Sequence, residues 1–197
     1  LPAARARNLL RHELLAAGFR APDTRWIDEA RSQLSTTSAL SETCVATADG
    51  ELRIYRGELY VVPHPPPAPL QALPCRLDAE FSWAGGRVRF LATVGEGISR
   101  QSVDEAGLRL QPRRGGESLQ LHANRPRRSL RNLLQESGIP PWERERLPFL
   151  WSGERLLWIG GLGFDVALRC PPGEPGFQPV WELLPSHCPS VPRLSAN

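Results

Sequence analysis

Residues 108–151 read LRLQPRRGGESLQLHANRPRRSLRNLLQESGIPPWERERLPFLW, and this stretch decides how the rest of the chain is parsed. Leu108 and Leu110 alternate with polar neighbours, as a strand with one buried face does, and the run ends in Arg113-Arg114-Gly115-Gly116. Leu119 and Leu121 predict a short return strand. Ser129 stands at an N-cap position ahead of Leu130, Leu133 and Leu134, Gly138 stops that helix, and Pro140-Pro141 follow. Phe149 to Trp151, a turn at Ser152-Gly153 and Leu156 to Ile159 form a hairpin. Strands, one short helix and another hairpin predict a mainly antiparallel β domain.

Upstream, Arg76 to Trp83 alternates at Leu77, Ala79, Phe81 and Trp83, then Gly85-Gly86 turns into Val88, Phe90 and Ala92, a second hairpin. Downstream, Phe164 to Leu168 and Pro179 to Leu184 are weaker strand signals. The beginning of the chain differs. Ala6, Leu10, Leu14 and Ala17 line one helical face over residues 3–17, with Gly18 as the stop. A second helix starts near Asp23 or Thr24 and carries Trp26, Ile27, Ala30 and Leu34. A strand over 43–47, the turn Asp49-Gly50, and strands around Leu52, Ile54 and Leu59 to Val62 complete a small meander. The segment Pro63-His64-Pro65-Pro66-Pro67-Ala68-Pro69 cannot join a helix or a ladder and predicts a semi-rigid spacer. The expected architecture is α+β: a helical domain with an antiparallel meander over 1–64, a proline-rich linker over 65–73, a mainly antiparallel β domain with one or two short helices over 74–184, and a flexible tail over 185–197.

Composition narrows function. The 197 residues contain neither lysine nor methionine. Without lysine there is no GK[ST] phosphate loop and no Schiff-base chemistry on a protein amine. No apolar run of ~18 residues exists, so no membrane span is expected. Cys44, Cys75, Cys170 and Cys188 form no CxxC pair, which argues against structural zinc and fits a reducing cytoplasm. The lack of an initiating methionine suggests a piece of a longer protein.

All 24 basic residues are arginine, planar forks suited to two-point contact with phosphate. The net charge of +3 hides a concentration between Arg109 and Arg131: seven arginines against the single acid Glu117. A local basic patch on a mildly acidic body predicts a polyanion contact. Its candidate residues are Arg113 and Arg114 at the strand end, Arg125, Arg127 and Arg128 leading to the helix start at Ser129, and Arg131 in the first turn. Helix N-termini favour anions through unpaired N–H groups and the helix dipole. Arg144 and Arg146 of Glu143-Arg144-Glu145-Arg146 are candidates to extend the patch; alternating signs more often mark a solvated face. Trp142 is held open for base stacking. Gly160-Gly161-Leu162-Gly163 lacks dinucleotide-loop spacing, and no nucleophile–base pair is visible, so no catalytic residue is expected in this chain. The residues alone also accommodate a general nucleic-acid binder and a protein-interaction module.

Several of these motifs, taken in order, resemble the tRNA(Ile)-lysidine synthetase family of bacteria: Arg113-Arg114-Gly115-Gly116-Glu117, Arg127-Arg128-Ser129-Leu130-Arg131-Asn132-Leu133-Leu134-Gln135-Glu136, Gly138-Ile139-Pro140-Pro141-Trp142, and Arg144 with Arg146-Leu147-Pro148. The first unit is similar to that family's substrate-recognition domain through Arg7-Asn8 and Arg11, Asp28-Glu29-Ala30, Asp49-Gly50-Glu51-Leu52 and Tyr55-Arg56-Gly57. The resemblance implies the tRNA-binding C-terminal region, with Arg7 and Arg11 added to the RNA-binding set. Its implied partners are minor isoleucine tRNA, gripped on the acceptor-stem side, and the enzyme's own N-terminal catalytic domain. A homodimer is left open. That catalytic domain would use ATP and Mg²⁺ to convert the wobble cytidine to lysidine. Its SGGxDS motif does not occur here, so no cofactor is expected in this chain. The family mixes lysine with arginine at its basic positions, whereas here every one is arginine.

Overall fold

A computed structural model describes residues 3–20, 23–35, 43–56, 58–63 and 70–183, which belong to two compact units. Residues 64–69 and 184–197, which include most of the expected linker (65–73) and all of the expected tail (185–197), lie outside the described residues.

In the first unit, α1 (Ala3–Ala16) and α2 (Thr24–Ser35) precede a sheet of β1 (Thr43–Ala46), β2 (Gly50–Tyr55) and β3 (Glu58–Pro63) in that order. The expected helix stop is real: Gly18 has φ +82° and the Phe19 N–H donates to the Leu14 carbonyl at 2.9 Å. Asp23 caps α2 by accepting from the Trp26 N–H at 2.7 Å. Leu10, Leu14, Phe19, Ile27 and Ala30 pack on Val45, Leu52 and Val61. Those last three form one row across the sheet, because Leu52 pairs with both Val45 and Val61. Burying a leucine or isoleucine of this kind contributes about 1.5–3 kcal/mol. The β1–β2 turn is fastened by Thr47, whose Oγ1 accepts from the N–H groups of Asp49 (3.1 Å) and Gly50 (2.9 Å).

The second unit contains β4 (Leu73–Cys75), β5 (Phe81–Trp83), β6 (Gly86–Val94), β7 (Ile98–Ser99), β8 (Leu108–Gln111), β9 (Ser118–Leu119), β10 (Arg128–Ser129), α3 (Leu130–Glu136), α4 (Pro141–Arg144), β11 (Phe149–Ser152), β12 (Arg155–Ile159), β13 (Gly163–Phe164) and β14 (Pro175–Leu183). Two sheets form, ordered β5-β6-β14-β7 and β13-β12-β11-β8-β4, together with a two-stranded ribbon β9–β10. Val88, Ile98 and Phe177 of the first sheet share a core with Leu108, Leu110 and Leu150 of the second. On the opposite face of the second sheet, Phe149, Trp151 and Ile159 pack against Leu119 of the ribbon and Leu130, Leu133 and Leu134 of α3. β11 thus sends alternate residues to two cores, the period-two pattern visible in its sequence. A bulge opposite the Leu150/Trp151 step turns both Leu157 and Trp158 into the first core.

Four expectations need correction. Arg76 to Trp83 is not one strand. Residues 77–79 turn, closed by the Ala79 N–H to the Arg76 carbonyl, and only Phe81–Trp83 is extended. The return strand at Leu119 does not pair with β8, whose edges are already taken by β4 and β11; it pairs with Arg128–Ser129. Residues 164–168 are not a strand beyond Phe164, because the Asp165 carboxylate accepts from the Ala167 N–H at 3.1 Å and winds 166–168 into a 3₁₀ turn. The last strand also starts earlier than expected, at Pro175, and pairs with β6 throughout. Gly176 permits this: a Cβ there would collide with the Glu96 carbonyl oxygen.

Candidate nucleic-acid interface

The arginine-rich segment is built around one buried carboxylate. Glu117 accepts from the N–H groups of Arg114 (2.5 Å) and Gly115 (2.8 Å), and its own carbonyl accepts from the Leu130 N–H at 2.8 Å. Gly115 (φ +98°) and Gly116 (φ +79°) supply the left-handed backbone that folds these donors over the acid. One residue past the ribbon strand, the Gln120 side-chain amide donates to the carbonyls of His122 (3.3 Å), Ala123 (3.3 Å) and Arg125 (2.8 Å), which orders the loop carrying Arg125. Ser129 caps α3 as expected, accepting from the Asn132 N–H at 3.4 Å. The helix start is therefore less open to an anion than its sequence suggests, since the Leu130 and Asn132 amides are engaged.

The candidate arginines fall into three groups. Arg114, Arg127 and Arg128 are tied internally. Arg114 lies 4.5 Å from the Trp151 ring centroid and donates to Glu154 (2.7 Å) and Gln111 (3.2 Å). Arg127 pairs with the buried Asp165 at 2.5 Å and donates to the Ser118 carbonyl at 2.9 Å. Arg128 grips both oxygens of Glu136, at 2.7 and 2.6 Å. Arg113 keeps only a long contact to Glu117, 3.6 Å, and is exposed. The side chains of Arg125 and Arg131 are exposed and have no partner among the described residues.

The remaining candidates serve as fasteners in this structure. Arg144 donates to the Ile139 carbonyl (2.8 Å) and Arg146 to the Ala84 carbonyl (2.8 Å), while the Trp83 indole donates to the Arg146 carbonyl (3.0 Å). The segment is not the solvated face that alternating signs suggested: burial raises the Glu143 carboxyl above its ordinary pKa, with Arg146 pulling it back down. Trp142 is half-buried with its indole nitrogen shielded from solvent. In the first unit, Arg7 pairs with Asp28 (3.1 Å) and Arg11 donates to Thr24 Oγ1 (3.2 Å), tying α1 to α2. Arg109 and Arg155, exposed arginines outside the candidate set, also have no side-chain partner among the described residues: Arg109 stands opposite Trp151 across β8–β11, and Arg155 joins Arg127 in a groove of about 280 Å³. Arg155 was legible only as a hairpin residue, because nothing in its local sequence marks its neighbours.

A second groove, of about 290 Å³, lies between the 121–126 loop, α3 and the Gly161-Leu162 turn. Among the described residues no group of three or more His, Cys, Asp or Glu could hold a metal ion, and no helix is long and apolar enough to cross a membrane.

Residues 108–181 match the family model of the TilS substrate C-terminal domain, and residues 1–60 that of the TilS substrate binding domain. The chain is 40% identical over 179 residues to a tRNA(Ile)-lysidine synthase of Aromatoleum aromaticum, covering 90% of this chain and 42% of that protein. It is 36% identical over 189 residues to one from an Azoarcus species, covering 92% and 39% respectively. The chain thus spans about two fifths of the length of these relatives. A crystal structure of a TILS C-terminal domain superposes with a TM-score of 0.50 at 19% identity, over 58% of this chain and 98% of that one, which shows a shared fold.

Proposed function

The chain belongs to the TilS family of tRNA(Ile)-lysidine synthases, and on that premise we propose that its two units hold tRNA by phosphate contact and shape while the chemistry is done elsewhere in the full-length protein. The observation that carries this reading is the pair Arg125 and Arg131, which stand exposed and unpartnered beside arginines locked to acids. An A-form acceptor stem has a major groove too deep and narrow to read, so a protein grips its phosphates and 2′-hydroxyls. Fixed arginine forks suit that task. The locked arginines shape the surface, and the free ones supply the contacts.

In this reading the ligand is minor isoleucine tRNA in a bacterial cytoplasm. An N-terminal catalytic domain, using ATP and Mg²⁺, converts the wobble cytidine to lysidine. The chain has no lysine and no GK[ST] loop, and among the described residues no group of three or more His, Cys, Asp or Glu could hold a metal ion, so this reading leaves ATP and Mg²⁺ to the N-terminal domain. No step of the ligation is assigned to this chain. Binding across a salt series, with minor isoleucine tRNA, another tRNA and duplex DNA in competition, tests the reading. A preference for tRNA over DNA with a steep salt slope is expected. Equal binding to DNA would reduce the patch to a general polyanion contact.

A further inference from the structure

The 290 Å³ groove shares Arg125 and Arg128 with the arginine-rich segment, and its lining is chemically mixed. Leu121, Leu133, Leu162 and Pro126 make up the apolar part of its lining, and His122 and Arg125 are among the polar part. The only acid in the lining, Glu136, is neutralised by the two-point grip of Arg128. The side chains of His122 and Arg125 are exposed and without a partner among the described residues. The lining therefore combines an unopposed Arg125 charge with apolar side chains. The loop that bears it is ordered in advance by Gln120, and the Gln120 carbonyl is itself held by the Val166 N–H at 2.7 Å. At this volume, near the lower end of small-ligand pockets (~300–1,000 Å³), a duplex cannot enter.

We propose that this groove takes one unpaired nucleotide of the bound RNA, with the base against the leucine walls and its phosphate on Arg125. An apolar slot rejects a phosphate alone, and a cationic rim gives nothing to an uncharged apolar ligand. A nucleotide satisfies both, because each base offers an apolar face and each linkage a charge. The inference rests on the RNA-binding reading, and it adds that Arg125, one of the two unpartnered arginines, also borders a seat for an unpaired base.

The test compares a blunt RNA duplex with the same duplex bearing a short unpaired 3′ extension, both titrated into the whole chain. Amide spectra are recorded in parallel with adenosine 5′-monophosphate and with inorganic phosphate. The extension should tighten binding about tenfold, the scale of one accommodated base. The mononucleotide should shift the amides of Arg125, Ser137, Gly161 and Leu162, and phosphate should not reproduce those shifts. Leu162→Ala, which removes apolar surface without adding charge beside Arg125, should cut the gain from the extension while leaving the blunt duplex within about twofold. The mononucleotide spectra decide the matter even if that variant does not fold. Equal affinity for both duplexes with tRNA binding intact overturns the groove and spares the RNA reading. Phosphate reproducing the shifts overturns the base site. Mononucleotide shifts without any RNA binding overturn the reading and leave the groove standing.

Discussion

Replacing Glu117 isolates what holds the arginine segment in place. Its side chain is 2% exposed and accepts two backbone N–H groups at 2.5 and 2.8 Å, with Arg113 a further 3.6 Å contact. Hydrogen bonds to a charged group contribute roughly 1.5–3 kcal/mol each. The donors belong to exposed residues, so water recovers part of that loss. Glu117→Ala should then cost about 2–3 kcal/mol, and Glu117→Gln, which keeps a neutral acceptor, about half as much. For a unit of this size 2–3 kcal/mol lowers the melting midpoint by roughly 10 °C. Five of the six tryptophans lie in the second unit, so urea unfolding followed by fluorescence reads it selectively. Loss of the Ser118–Ser129 pairing should accompany the change, seen as faster amide exchange at Leu130. An Ala variant as stable as the parent, or a Gln variant as damaged as Ala, would refute the reasoning.

Burial raises the Cys75 thiol to about 11 from 9.0. Its protonated form is therefore favoured in the folded state; the associated stability is complete below pH 9 and is lost as pH rises towards 11. Unfolding free energies from urea titrations should fall between pH 9 and 11 by an amount on the order of 2 kcal/mol, and Cys75→Val should flatten that fall. The Arg128–Glu136 pair is 35% and 50% exposed, so a double-mutant cycle should give a coupling below about 1 kcal/mol that shrinks in high salt. Gly176→Ala should destabilise the second unit severely, since the added Cβ meets the Glu96 carbonyl and Thr93; soluble yield and fluorescence report it.

The parts of the fold that were legible follow a single local period. α1, α2 and the β11–β12 hairpin each repeat their apolar residues at 3.6 or 2, and Gly18 after α1 and Gly153 in the hairpin are the turn residues that match. The second half of β14 was legible from Pro179 onward, but its first half was hidden because Pro175 and Gly176 break any strand-like pattern, and pairing with β6 extends the strand back to Pro175. Arg76 to Trp83 misled for the converse reason: alternation continued through a turn that happens to bury Cys75 and Trp83 at its ends. At the site, the arginine concentration was plain from spacing. Which arginines are free was not, because Arg114 and Arg127 are claimed by Glu154 and Asp165, 40 and 38 positions away. The same is true of Arg146, whose partner Ala84 is 62 residues distant.

The most direct test of the central claim is the salt dependence of tRNA affinity for the parent chain and for Arg125→Gln with Arg131→Gln. Each lost phosphate contact should lower the slope of log K against log salt by about 0.9, so the double variant should lose close to ~2 units of slope and bind more weakly at low salt, with unchanged unfolding. The exposed Arg76→Gln serves as control and should leave the slope as it was. A double variant with the parent's slope and affinity would contradict the claim that the unpartnered arginines are what grips the RNA.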